Sequence, residues 1–157
     1  MKFYNKRKNL INIALVVLYF VIHLTLIAHH EAWGDEAQAW VIAKNTSFIG
    51  LFPALCAEGH PAGWFILIKL VQKIGLSFYH FSLLSLLLMT ASVAIILWFS
   101  PIPLVPKLII LLSSTFFYFN PVICRVYSLV VFLIIILSVF WEQRDKHSTI
   151  CGIIIAL

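Results

Sequence analysis

Charged residues are scarce in this chain of 157 residues. They make up 11% of the sequence, against about 25% in an average soluble domain, while hydrophobic residues make up 62%. The mean hydropathy is +1.03. A chain with so little polar surface cannot cover a water-soluble core. The composition therefore excludes a soluble globular domain and predicts an integral membrane protein.

Acidic residues are fewer than basic ones, with six Asp and Glu against eleven Lys and Arg, which gives a formal net charge of +5. The basic residues lie at the ends of apolar runs, where Lys and Arg set the orientation of membrane helices. A nucleic-acid reader would instead carry them along one face. We therefore expect membrane lipids as surroundings and no nucleic-acid partner.

Cysteine is also rare, and its three positions show no CxxC spacing. Cys124 and Cys151 are expected to be small buried hydrophobes. A disulfide between Cys56 and Cys124 stays open as an alternative if both face an oxidising compartment. The first apolar run lacks a small-residue cleavage site after it, so it is interpreted as a retained membrane anchor.

The apolar runs predict an all-α fold, a polytopic transmembrane helical bundle that forms a single domain over residues 1–157. A bilayer needs about 20 residues per span. The predicted spans are Leu10–His29, Phe81–Phe99, Leu108–Phe119 and Tyr127–Trp141. The basic cluster before Leu10 predicts a cytoplasmic N-terminus in the plasma (inner) membrane, with residues 30–79 outside.

A fifth apolar run begins at Thr149 and the sequence stops within it. Because a span needs about 20 residues, we expect the chain to be the N-terminal part of a longer protein, or to need a partner subunit. His23 lies in the middle of the first span. It is expected to be hydrogen bonded to a neighbouring helix rather than to carry protons.

The outer loop is expected to carry two helices that lie on the membrane surface. The first helix is Asp35–Ala43. Trp40 on it and Trp33 just before it would lie in the interfacial aromatic belt, and the carboxylates of Asp35 and Glu36 would point toward water. The second, Ala62–Leu76, would turn a polar stripe that includes Lys69 and Gln72 away from the bilayer. The alternative, in which this segment crosses, would place the later basic residues outside.

Polar groups of three kinds gather on the predicted outer face. They are Asp35 with Glu36, Glu58 with His60, and Arg125 with Tyr127. A carboxylate can take a proton from an attacking hydroxyl, and an arginine can hold a departing phosphate through paired hydrogen bonds. This set suits transfer from a lipid-linked phosphate donor. It requires no cofactor, although an acidic pair can also hold a divalent cation.

The order of three motifs resembles the N-terminal part of GT-C superfamily glycosyltransferases, such as protein O-mannosyltransferases and lipid A aminoarabinose transferases. The motifs are Trp-Gly-Asp-Glu-Ala-Gln-Ala-Trp at 33–40, Gly-His-Pro at 59–61 and Asn-Pro-Val-Ile-Cys-Arg-Val-Tyr-Ser-Leu at 120–129. The resemblance implies a polytopic membrane enzyme that transfers a sugar from a polyprenyl-phosphate donor to an acceptor on the outer face.

The resemblance also implies roles for individual residues. Asp35 matches the catalytic acid position of the family and Glu36 its neighbour, while His60, Arg125 and Tyr127 match substrate-binding positions. Many family members carry a second aspartate near the Arg-x-Tyr motif, which this chain lacks. That departure puts metal dependence in doubt and favours Asp35 as the base.

A second interpretation is a non-catalytic small membrane protein, either a truncated remnant or a subunit that packs against partner helices. It predicts no transfer by this chain.

Overall fold

A computed structural model describes residues 2–55 and 60–156, and within those residues the regular structure is helical, with no strand. Its helices are α1 (Lys2–Ala28), α2 (Gly34–Asn45), α3 (Leu51–Ala54), α4 (Ala62–Lys73), α5 (Ser82–Phe99), α6 (Leu104–Leu111), α7 (Asn120–Val122), α8 (Val126–Phe140) and α9 (Ser148–Ala156). Short 3-10 turns cover Phe78–His80 and Trp141–Gln143, and a π-helical turn covers Thr115–Phe119. The predicted all-α class is confirmed.

Among the residues that the structure describes, three helical segments are long and apolar enough to cross a membrane: Lys6–Ala28, Phe78–Phe99 and Val126–Gln143. The middle segment is the most enclosed, with 44% of its most apolar stretch buried, against 17% and 11% for the other two. The first and third therefore present apolar faces outward, as helices do when lipid rather than water surrounds them. These three segments coincide with three of the four predicted spans.

The remaining predicted span, Leu108–Phe119, is not one continuous helix. Leu104–Leu111 and Thr115–Val122 form a pair bent by 60°. At the break the Ser113 N–H donates to the Ile110 carbonyl three residues back, and the Ser113 hydroxyl bonds the same oxygen. Such side-chain competition for a helical carbonyl is a known cause of bending.

The bent segment does not end at Phe119 but continues through Asn120 and Pro121. Pro121 lies in the first turn of α7 and is buried. Proline is tolerated there because an N–H in the first turn has no intrahelical acceptor. The segment therefore continues to Val122.

Two contacts set the directions of the long helices. The Asn12 amide donates to the Leu97 carbonyl at 3.2 Å, so the start of α1 meets the end of α5. The hydroxyls of Ser85 and Ser128 are 2.9 Å apart, so α5 and α8 begin at the same end. We call the end that holds Asp35 the acidic end, and the opposite end, which holds Arg7, the basic end.

His23 joins α1 to the bent segment. Its side chain is fully buried, with Nδ1 2.6 Å from the Tyr19 carbonyl and Nε2 2.8 Å from the Phe117 carbonyl. The prediction that this histidine is hydrogen bonded to a neighbouring helix is confirmed.

An aromatic core at the acidic end packs α2 and α4 against the start of α5. Trp40 lies 5.9 Å from Phe78 and 5.1 Å from Phe81 between ring centroids, and Trp64 lies 6.1 Å from Phe81. The helix predicted over Asp35–Ala43 is confirmed. Trp40, however, belongs to this protein core and not to a membrane belt, whereas Trp33 is 47% exposed.

The α4 helix has twelve residues and is not among the candidate spans. Its predicted outward polar stripe is wrong in part, because two of its members face α2. The Lys69 ammonium donates to the carbonyls of Ala43, at 2.6 Å, and of Thr46, and the Gln72 amide donates to the Trp40 carbonyl at 2.9 Å. The carbonyls of Ala43 and Thr46 lie in the last turn of α2 and just beyond it, where they have no intrahelical donor, so Lys69 satisfies them.

Candidate active site at the acidic end

Asp35 and Arg125 form an ion pair across the acidic end. Asp35 lies in the first turn of α2, where the helix dipole favours a carboxylate, and Arg125 immediately precedes α8. The Asp35 Oδ2 and Arg125 Nη2 atoms are 3.1 Å apart. The side chains are 58% and 27% exposed, so both remain accessible to a ligand.

The ion pair opens into a cleft of about 170 Å³. His60, just before α4, lines the same cleft, together with Gln38 and the buried ring of Trp64. A carboxylate, a guanidinium and an imidazole from three separate parts of the chain therefore meet around one small space. The structure brings together Asp35, His60 and Arg125 among the residues singled out from the sequence.

Glu36, the second predicted catalytic acid, is enclosed in the protein with 1% of its surface exposed and does not line the cleft. Its Oε1 accepts the Cys124 backbone N–H at 2.6 Å. Its Oε2 accepts the Trp33 backbone N–H at 2.7 Å and the His30 Nε2–H at 2.9 Å. The bond to Trp33 is half of a capping box at the start of α2.

These bonds give Glu36 a positioning role. Hydrogen bonds to a carboxylate are about twice as strong as those between neutral groups. They hold the first turn of α2 against the turn that carries Cys124 and Arg125. The distance between Asp35 and Arg125 thus depends on Glu36, although Glu36 itself is shielded from a ligand.

Tyr127 lies beside the cleft and does not line it. Its ring is 50% exposed, and its centroid is 5.3 Å from the guanidinium carbon of Arg125. A guanidinium near an aromatic face is attracted to the ring. Tyr127 therefore supports the orientation of Arg125 without reaching the space around Asp35.

Cys124 is a buried thiol behind the site. Burial raises the pKa of the Cys124 thiol well above its usual range, and the charge of Glu36 raises that pKa further, against a lowering by hydrogen bonds to Ser85. Its Sγ donates to the Phe81 carbonyl at 3.2 Å. The thiol is free, so the structure does not pair it in a disulfide, and Cys56 lies outside the described residues.

Residues 2–55 and 60–156 contain no group of three His, Cys, Asp or Glu side chains arranged to hold a metal ion. Asp35 pairs with Arg125, and Glu36 is surrounded by N–H donors, so the two carboxylates do not share a cation position. Glu58, which the sequence places with His60, lies outside the described residues.

Two parts of the arrangement have little sequence signal. His30 and the backbone N–H of Cys124 both bind Glu36, and neither belongs to a recognisable pattern. Gln38 follows Asp35 by three residues, a spacing that puts both on one helix face, so its place in the cleft could be inferred.

Comparison of the chain with protein-family models, with curated proteins and with solved structures finds no match. The resemblance to GT-C glycosyltransferases therefore rests on its motifs.

Proposed function

We propose that the protein is a multi-pass membrane glycosyltransferase of GT-C type that uses a polyprenyl-phosphate sugar. The four crossings would be α1, α5, the bent segment Leu104–Val122 and α8. Three of these are long apolar helices, and the bent pair passes the same test as one broken span. The basic residues near the N-terminus favour a cytoplasmic basic end in the plasma membrane, with the acidic end outside.

One observation carries the proposal: the 3.1 Å ion pair between Asp35 and Arg125 in a cleft that His60 also lines. The cleft adjoins the ends of apolar helices, so a lipid-linked donor can keep its tail in the bilayer while its phosphate reaches Arg125. The acceptor then approaches from the water side.

The transfer is a single displacement. The acceptor hydroxyl gives its proton to the Asp35 carboxylate, which acts as general base. The acceptor oxygen forms a bond to the anomeric carbon, and the bond from that carbon to the phosphate oxygen breaks. The electron pair leaves with the polyprenyl phosphate, whose charge Arg125 stabilises.

Arg125 is able to hold Asp35 and a phosphate together. A guanidinium has more N–H groups than the ion pair uses, and its planar fork matches phosphate oxygens. His60 lines the same cleft and can donate a hydrogen bond to the sugar or to the phosphate. No step requires Glu36 to leave its buried position.

The test uses the full chain reconstituted in lipid nanodiscs with polyprenyl-phosphate mannose and polyprenyl-phosphate aminoarabinose. The measurements are binding of polyprenyl phosphate, which both donors share, and its release by hydrolysis of the donor, in which a water molecule takes the place of the acceptor hydroxyl. We expect Asp35→Asn to abolish release while binding and folding persist. Glu31→Gln, which removes an exposed carboxylate from the same loop, is the matched control.

Release by Asp35→Asn at the wild-type rate would remove Asp35 as the base. An intact wild-type chain that binds no polyprenyl phosphate would contradict the proposal and support the non-catalytic alternative, a remnant or a subunit that packs against partner helices.

A further inference from the structure

A second and larger cleft lies at the basic end, away from the Asp35 site. It has a volume of about 620 Å³ between the start of α1, the end of α5 and the start of α6. Its charged lining residues are Arg7, Lys8 and Lys107, and no carboxylate is among the described residues that line it. The cleft is therefore a positively charged cavity.

Lys107 lies at the floor of this cleft with 4% of its surface exposed. Its ammonium donates to the Leu97 carbonyl at 3.1 Å and to the Ser100 carbonyl at 2.9 Å, at the end of α5. The end of a helix supplies only about half an elementary negative charge. Within residues 2–55 and 60–156, no carboxylate forms an ion pair with this ammonium.

A buried charge that is only partly compensated costs free energy, and an anionic ligand would remove that cost. The Lys107 ammonium has one more N–H than its two carbonyl partners use. Arg7 and Lys8 are exposed at the mouth of the cleft, and neither has a protein partner in the part of the chain that the structure describes. Three cationic groups are thus available to one ligand.

Apart from Asn12 and Ser100, the rest of the lining is apolar, with Ile11, Leu97 and Leu104 forming part of the wall. The cleft also lies where two of the candidate membrane helices, α1 and α5, approach their ends. A free phosphate would contact the three basic side chains but would make no contact with the apolar wall. A phospholipid would use both, because its phosphate is followed by glycerol and acyl carbons.

We propose that this cleft binds the phosphate headgroup of an anionic membrane phospholipid. The phosphate contacts Lys107, Arg7 and Lys8, and the glycerol and first acyl carbons lie against the apolar wall. Basic pockets between membrane helices are known to take such headgroups. The inference rests on the membrane placement in the proposed function and is independent of sugar transfer.

The experiment measures lipid binding to the purified full chain by native mass spectrometry in a neutral detergent. The probes are phosphatidylglycerol, phosphatidylcholine and glycerol phosphate. We expect phosphatidylglycerol to bind about tenfold more tightly than phosphatidylcholine. The double variant Arg7→Gln/Lys8→Gln should lose roughly tenfold or more of that affinity, since each basic residue contributes about a fivefold factor at an anionic surface.

The matched control is Arg144→Gln/Lys146→Gln, which removes the same charge from exposed residues outside the cleft. It should leave the affinity within about twofold of wild type. A second variant, Lys107→Met, should abolish the preference for the anionic lipid. Its folding is checked by circular dichroism, because it also removes two hydrogen bonds at the end of α5.

Three outcomes would overturn the inference. They are equal affinities for the two lipids, equal losses in the two double variants, and glycerol phosphate binding as tightly as phosphatidylglycerol. The last would replace the lipid with a soluble phosphate. None of these measurements uses a sugar donor, so their failure would not contradict the proposed sugar transfer. A failure of sugar transfer would likewise not contradict the lipid site.

Discussion

The Glu36 carboxylate accepts the backbone N–H of Cys124 at 2.6 Å across 88 residues of chain. This bond joins the start of α2 to the turn before α8. The adjacent residues on the two sides, Asp35 and Arg125, form the ion pair of the cleft. A buried residue therefore sets the geometry of an exposed site.

Replacing Glu36 with glutamine should destabilise the protein by about 2–4 kcal/mol. The change removes the negative charge and replaces one acceptor oxygen with an amide NH2 group. The buried N–H donors that bonded this oxygen are then left without an acceptor. The measurement is unfolding by SDS titration in mixed micelles. Glu31→Gln, at an exposed carboxylate, should change the stability by less than about 0.5 kcal/mol. Equal effects of the two substitutions would show that the hydrogen bonds to Glu36 contribute nothing.

Replacing Arg125 with lysine should separate binding from stability. Its ion pair with Asp35 is partly exposed, so the substitution should cost no more than about 1 kcal/mol of folding free energy. Lysine lacks the planar fork that matches a phosphate, so the affinity for polyprenyl phosphate should fall by about tenfold. The two measurements are SDS titration and equilibrium binding in nanodiscs. Unchanged affinity would mean that Arg125 serves the membrane surface and not a ligand.

Replacing Lys69 with methionine should weaken the contact between α2 and α4 by about 2 kcal/mol. Methionine keeps the apolar stem and loses the charged donor that bonds the carbonyls of Ala43 and Thr46. Hydrogen exchange of the last turn of α2 is the readout, and it should accelerate in proportion. Lys44→Met, at an exposed lysine of the same turn, is the control and should have a smaller effect. The reverse order would contradict the capping role of Lys69.

The Cys124 thiol should resist maleimide even at mildly alkaline pH. Burial raises its pKa, so the reactive thiolate stays unpopulated as pH rises through the range in which an ordinary cysteine ionises. The measurement is labelling of a Cys56→Ser/Cys151→Ser background before and after denaturation. Glu31→Cys in a matched chain without Cys124 should label quickly. Rapid labelling of native Cys124 would show that the turn before α8 opens readily.

The amino-acid sequence by itself determined the helical class, the approximate positions of the long apolar helices and the helix that follows Trp33. These features follow from hydrophobic run length and helical periodicity, which are local properties of the chain. It also supplied Asp35, His60 and Arg125 as candidates, through residue types that suit phosphate chemistry.

Only the tertiary structure decided which of two adjacent carboxylates faces the cleft. Adjacent residues on a helix point about 100° apart, so Asp35 and Glu36 face different sides of α2. Which of them is buried depends on the side of α2 that packs against the rest of the protein. The docking buries Glu36 and exposes Asp35. Other features likewise depend on contacts that the sequence pattern does not show. Lys107 and Lys69 bond carbonyls of other helices, and the bend at Ser113 comes from competition for a carbonyl. Hydrophobic periodicity cannot predict these contacts, because it indicates which residues share a helix face and not which part of the protein packs against that face.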